Sequence, residues 1–111
     1  MQDRFKFRYW YKPLKIMVNI QDKDYFFEIA HNDKYTVMQC TGLKDKNGKL
    51  IYEGDILRLK DIKIPVEVRF KGIGFELYAE PTNMAGYHND KYIPEDSEII
   101  GNIYENKDLL W

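Results

Sequence analysis

The sequence predicts a mainly β fold (β-rich α+β at most). N-terminal strands are laid around a small SH3-like barrel, with one short helical turn near the C-terminus. Three observations predict it. Apolar and polar residues alternate with period two in one segment after another, which puts successive side chains on opposite faces of a strand. Aromatic residues make up 15% of the chain, with nine Tyr and six Phe, and such side chains suit a half-buried pleated surface. Clusters of Gly, Pro, Asn and Asp interrupt the alternation at short intervals, as they do where tight turns join strands.

The first strand is read from Phe5, Phe7, Tyr9 and Tyr11, which alternate with Lys6, Arg8, Trp10 and Lys12. This predicts an aromatic row on one face and a largely basic row on the other. Pro13 stops the strand because it has no N–H for a ladder. Ile16, Val18 and Ile20 set a second strand, and Gln21 to Asp24 turn the chain into a third over Tyr25–Ile29. After a polar turn at His31–Lys34, Tyr35–Cys40 is the fourth. Thr41-Gly42 and Asp45-x-Asn47-Gly48 read as a shaped loop, with Asn47-Gly48 taking positive φ at both positions of a hairpin turn.

From Gly54 onward short strands follow closely: Ile56–Lys60, Pro65–Phe70, Phe75–Tyr78 and Ser97–Tyr104. Four or five short curved strands and a terminal helical turn are the pattern of a small barrel. Gly101 inside the last strand implies a bulge or a close backbone approach. Asn106 is placed to cap one helical turn through Leu110. Residues 80–96, with Pro81, Gly86 and Pro94, read as a long loop. The 111 residues form one domain, with 1–50 supplying N-terminal strands and the Asn-Gly turn and 51–111 the barrel portion.

Composition narrows the function classes. Hydrophobic residues at 44% and charged residues at 32% describe a folding chain rather than a disordered one. The net charge of −1 counsels against nucleic-acid binding, which draws most of its affinity from phosphate contacts. That charge is nevertheless polarised. Arg4, Lys6, Arg8, Lys12 and Lys15 face only Asp3 at the front. Glu80, Asp90, Glu95, Asp96, Glu98, Glu105 and Asp108 outnumber Lys91 and Lys107 in the last third. Such a basic front and acidic back attract each other within a subunit or between subunits. The single Cys40 excludes an internal disulfide and suits a reducing cytosol. No apolar stretch is long enough to span a bilayer, and no apolar signal core follows Met1, so a cytoplasmic protein that makes no membrane contact is expected.

Three stretches carry a family resemblance. Phe5-Lys6-Phe7-Arg8-Tyr9-Trp10 with Lys15-Ile16-Met17 is similar to the opening of the YopX family. Val37 to Lys49 with Ile51-Tyr52-Glu53-Gly54-Asp55-Ile56 is its centre, and Glu98 to Asn106 its end. Tyr9 stands where that family often has a small residue, Tyr11 where it often has an acid, and Cys40 where an aromatic is common. The resemblance implies a phage or prophage product in a bacterial host cell and brings no catalytic residue to any position.

Few constellations offer chemistry. Glu53 and Asp55 flank Gly54 two apart, as a pair of carboxylates on one strand face would be; the plainer reading is a turn glycine between capping acids. His-Asn-Asp-Lys-Tyr occurs at His31–Tyr35 and again at His88–Tyr92, two polar loops whose His and Asp residues would suit zinc only if brought together. Cys40 has no neighbouring His and reads as a small apolar core residue. There is no phosphate loop, nucleophile elbow or paired-His helix, so no enzyme, cofactor or metal is expected. The best nucleic-acid candidate is the row Lys6, Arg8, Trp10 and Lys12, cations for phosphates with an aromatic for stacking. The first expectation remains self-association or binding to another protein, through exposed strand edges and a Tyr-rich surface.

Overall fold

The computed structural model describes residues 6–20, 31–59, 62–71, 74–78 and 96–110. These residues form two four-stranded antiparallel sheets and almost no helix. The first has the order β2-β1-β3-β4, built from β1 (Phe7–Tyr11), β2 (Ile16–Asn19), β3 (Tyr35–Lys44) and β4 (Leu50–Tyr52). The second is a curled half-barrel of order β7-β6-β5-β8, from β5 (Asp55–Leu59), β6 (Ile62–Lys71), β7 (Gly74–Tyr78) and β8 (Glu98–Asn102). A 3-10 turn, Lys107–Leu110, follows. The mainly β expectation and the terminal turn are met. The expected strand at Tyr25–Ile29 and, but for residue 96, the expected loop at 80–96 lie outside the described residues.

Each strand follows from its alternation, and the departures have local causes. β3 runs on through Thr41 to Lys44, where a loop was expected, because Gly42 adopts φ 84° and the register with β4 shifts between Cys40 and Lys44. The Thr41 hydroxyl donates to the Ile51 carbonyl (2.8 Å) and accepts from the Leu43 N–H (3.0 Å), closing that irregularity. At the following hairpin only Gly48 has positive φ, 82°, and Asn47 does not. The Gly48 N–H donates to the Asp45 carbonyl and the Asp45 N–H to the Lys49 carbonyl. This is a type I turn followed by a left-handed glycine.

β6 begins at Ile62, so Pro65 lies inside a strand rather than at its start. The register against β5 shifts between Leu57 and Leu59. A bulge is where a strand tolerates proline. β8 ends at Asn102 instead of Tyr104, because the Asn102 side-chain oxygen accepts from the Tyr104 and Glu105 N–H groups and turns the chain. Asn106 does precede the helical turn, but its side chain reaches back to the Asn102 N–H (3.2 Å), and its main-chain carbonyl accepts from Leu109.

The core lies in the half-barrel: Leu57, Leu59, Val66, Val68, Phe75 and Leu77, joined by Ile51 from β4 and flanked by Leu43, Ile64, Phe70 and Ile99. Ile51 thus belongs to one sheet by pairing and to the other by packing. Gly101 lies at the bulge read from the sequence, and what approaches it closely is a side chain rather than backbone. The register between β5 and β8 shifts beside it, and a Cβ there would lie 2.6 Å from the Asn106 Oδ1. Gly101→Ala is expected to cost about 1–3 kcal/mol by overpacking, measured as a lower urea midpoint. A cost below about 0.5 kcal/mol would mean that Asn106 moves freely aside.

Candidate functional site

The charged side chains converge where the two sheets meet, on Tyr52-Glu53-Gly54-Asp55. Gly54 takes φ 90°, and a Cβ on it would meet the Met38 sulfur at 3.2 Å, so the turn between β4 and β5 needs glycine. Its N–H donates to the Val68 carbonyl and its own carbonyl accepts from Ile103, while the Glu53 N–H donates to Gln39. One short turn therefore binds β3, β6 and the segment after β8.

Arg8 crosses from β1 into this junction. Its Nη2 lies 2.8 Å from Asp55 Oδ1 and 3.2 Å from the Glu53 carbonyl, and its guanidinium stands 4.8 Å from the Tyr52 ring centroid. Both partners are buried, and Asp55 Oδ2 also accepts from the Tyr52 N–H at 2.8 Å. The Arg8 Nε is buried with no hydrogen-bond partner, as is the Ser97 hydroxyl. Trp10, two residues on, stacks on Tyr104 with ring centroids 5.5 Å apart. Met38 and Cys40 are buried on the same face of this sheet.

The expected basic row is therefore divided. Arg8 and Trp10 point inward and are buried, while Lys6 and Lys12 are exposed. Lys12 Nζ donates to the Asp33 carbonyl at 2.9 Å. The other face of β1 carries the half-buried Phe7, Tyr9 and Tyr11. Tyr35 meets Tyr9 edge-on and Tyr11 tilted, at 5.0 and 4.9 Å between centroids. The alternation was right about which residues share a face and silent about which face is inside.

Electrostatics follow from burial. Desolvation raises the Asp55 carboxyl above its ordinary value, against the opposing Arg8 charge and the Tyr52 N–H. Desolvation likewise raises Glu53, opposed by the Gln39 N–H and Arg8 and assisted by Glu67. Tyr104 is raised by burial and by the Glu53 charge, with a Thr36 side-chain hydrogen bond acting against them. Glu67 is held by Arg69, at 3.1 Å to Nε. The two acids around Gly54 were read as capping acids at a turn. Asp55 does cap the Tyr52 N–H, yet it is an interior charge rather than a solvated one.

A second buried acid anchors the hairpin. Asp45 accepts from Asn47 and Lys49 through Oδ1, both at 2.9 Å, and from Ile99 through Oδ2 at 3.1 Å. Desolvation raises its carboxyl, but those three N–H groups outweigh it and the value is lowered. The sign follows: Asp45 stabilises the fold above the unfolded carboxyl value of about 4 and loses that contribution as pH falls through its own lower value. Asp45→Asn turns a donor toward Ile99 N–H. It is expected to lose roughly 1–3 kcal/mol at neutral pH and to flatten the acid limb of the stability–pH curve. An unchanged acid limb would remove Asp45 from the account.

Sequence reading missed Asp45 as a bridge to β8, and Asn102 as the organiser of the turn. The second left a signal. Asn102-x-x-Glu105 has capping-box spacing, and Asn102 Nδ2 donates to Glu105 Oε1 at 2.9 Å. His31 is exposed, Cys40 is wholly buried, and the second His-Asn-Asp-Lys-Tyr copy lies outside the described residues. Among the described residues no group of three or more His, Cys, Asp or Glu is placed to hold a metal ion, and no helix is long and apolar enough to cross a membrane.

A family model described as YopX protein matches residues 3–111. Among solved structures, protein EF1440 from Enterococcus faecalis is 25% identical with a TM-score of 0.64, over 96% of this chain and 97% of that one. Protein yopX from Bacillus subtilis is 18% identical with a TM-score of 0.52, over 97% and 99% of the two chains, a likeness of fold. No curated protein matches the chain.

Proposed function

The chain belongs to the YopX family, and from that premise we propose that it is a phage or prophage accessory protein, without catalysis of its own, that works in the host cytoplasm by binding protein. One observation carries this reading. The buried acids of the family-like centre, Asp45 and Asp55, hold the two sheets together, while apolar side chains stand in water at the β1–β2 hairpin. A site of perturbed acids usually signals chemistry when it lines a cleft open to substrate. Here Arg8 and Asp55 are buried against each other. An exposed apolar patch beside cations is instead a feature of contact surfaces.

Tagged protein captured from host lysate, with and without nuclease, tests it. A discrete protein partner that survives nuclease is expected. Recovery of nucleic acid alone would favour the other reading, a nucleic-acid-binding β-barrel, which retains Lys6 and Lys12 on the surface while Arg8 and Trp10 face inward. Binding to single- or double-stranded DNA or RNA at low salt is expected to be undetectable.

A further inference from the structure

We infer that the partner includes a second copy of this chain, met by the β1–β2 hairpin tip at the acidic surface around the 3-10 turn; this rests on the protein-binding reading above. Leu14 and Ile16 are 67% and 44% exposed, the large hydrophobics left in water among the described residues. Between them Lys15 holds φ 54°, a left-handed conformation that favours glycine or asparagine. A strained backbone residue thus stands between two exposed aliphatic side chains at one tip. Such local conflict is retained where a surface has work other than folding.

The tip is also cationic. Lys12, Lys15 and Lys34 are exposed, and the Lys12 N–H donates to the Lys34 carbonyl, which brings Lys34 beside the tip. Ion pairs among the described residues use Arg8, Lys46, Arg58 and Arg69 and leave these three lysines without a carboxylate. In the segment after β8, Glu105 and Asp108 are exposed and enter none of those pairs, beside half-buried Ile103 and Leu109. The tip has three lysines beside Asp33, and the turn has Glu105 and Asp108 beside Lys107. The two surfaces thus combine aliphatic side chains with net charge of opposite sign, and no ion pair among the described residues joins them. A contact between unlike surfaces is heterologous and propagates to a closed ring or an open chain. Trp10, the ring that the basic row offered for stacking on a base, is turned inward against Tyr104.

Light scattering on the full chain at low salt tests this. The expected result is a mass above the monomer that rises with concentration and falls with added salt. Leu14→Ser with Ile16→Thr, Lys12→Glu with Lys15→Glu, and Glu105→Lys with Asp108→Lys are each expected to weaken association at least about tenfold, a 1.4 kcal/mol change. Mixing the two charge-reversed proteins is expected to restore association. Lys15→Gly keeps the fold and relaxes the backbone, so it is expected to melt at a higher temperature and associate more weakly. A monomeric wild type at high micromolar concentration overturns the inference, as does an oligomer that none of these changes disturbs. If a nuclease-resistant partner is still captured and is lost with Leu14→Ser and Ile16→Thr, the protein-binding reading survives with a different occupant. If no partner is captured either, both fall together.

Discussion

Asp55→Ala is expected to lose about 3–5 kcal/mol of stability, the cost of removing one member of a buried ion pair. The substitution leaves the Arg8 guanidinium inside the junction with the Glu53 carbonyl at 3.2 Å as its remaining hydrogen-bond acceptor there. It also orphans the Tyr52 N–H, which donates to Asp55 at 2.8 Å. A small domain is stable by about 5–15 kcal/mol in total, so this variant sits close to unfolding at room temperature. Urea titration followed by Trp fluorescence reads the effect directly, because Trp10 is buried against Tyr104 beside the lost pair. Arg8→Met combined with Asp55→Leu removes both charges and fills the space, and is expected to be more stable than either single charge deletion. A loss below 1 kcal/mol for Asp55→Ala would show that water enters the junction and that the pair is not holding the sheets.

Phe75→Ala is expected to cost about 3–5 kcal/mol through the cavity it leaves. Phe75 is 1% exposed at the centre of the half-barrel, and its ring lies 4.0 Å from that of Phe70, centroid to centroid and opposite in register. An aromatic pair adds about 0.5–1.5 kcal/mol beyond the area it buries. Phe75→Leu keeps most of the volume and is expected to cost less than half as much as the alanine variant. Differential scanning calorimetry of both variants, beside Asp55→Ala, also asks whether the sheets melt together. One transition lowered by every variant is expected, since Ile51 pairs with one sheet and packs in the other. A second transition lowered by Asp55→Ala alone would separate the sheets into independent units.

The acids at the junction give stability a second pH dependence, opposite in sign to that of Asp45. Asp55 and Glu53 carry raised values, so the folded state binds protons more readily than the unfolded one between the ordinary carboxyl range and those raised values. Stability contributed by these two groups therefore rises as pH falls through that window. Below it, Asp45 is protonated in turn and its contribution disappears.

Much of this fold was legible in the sequence because its rules are local. Alternation located the strands at Phe7–Tyr11 and Ile16–Asn19, the turn ending at Gly74 located the strand over Phe75–Tyr78, and Asp45 to Lys49 located a hairpin. What stayed hidden depends on partners far along the chain. Period two makes Arg8 and Trp10 share a face but cannot say that a carboxylate at Asp55 and a ring at Tyr104 will draw that face inward. Gly42 and Pro65 carry the marks of turns in isolation, and each is accommodated inside a strand by a register shift opposite it. Asn106 has the chemistry of a cap, but Asn102 offers its side chain a nearer donor. The exposure of Leu14 and Ile16 could not be read from their apolar character, which predicts burial.

The salt link between Arg8 and Asp55 also sets an order of events during synthesis. The ribosome releases β1, β2 and the start of β3 first, and their inward face then carries a guanidinium with no counter-ion and an indole with nothing to stack on. Asp55 arrives later, and Gly54 receives Ile103 only after β8 has been made. Contacts so distant in sequence form slowly. The early strands therefore wait as a nascent, half-wet sheet whose aromatic and cationic side chains are open to chaperones, to other chains and to misassembly until the half-barrel closes on them.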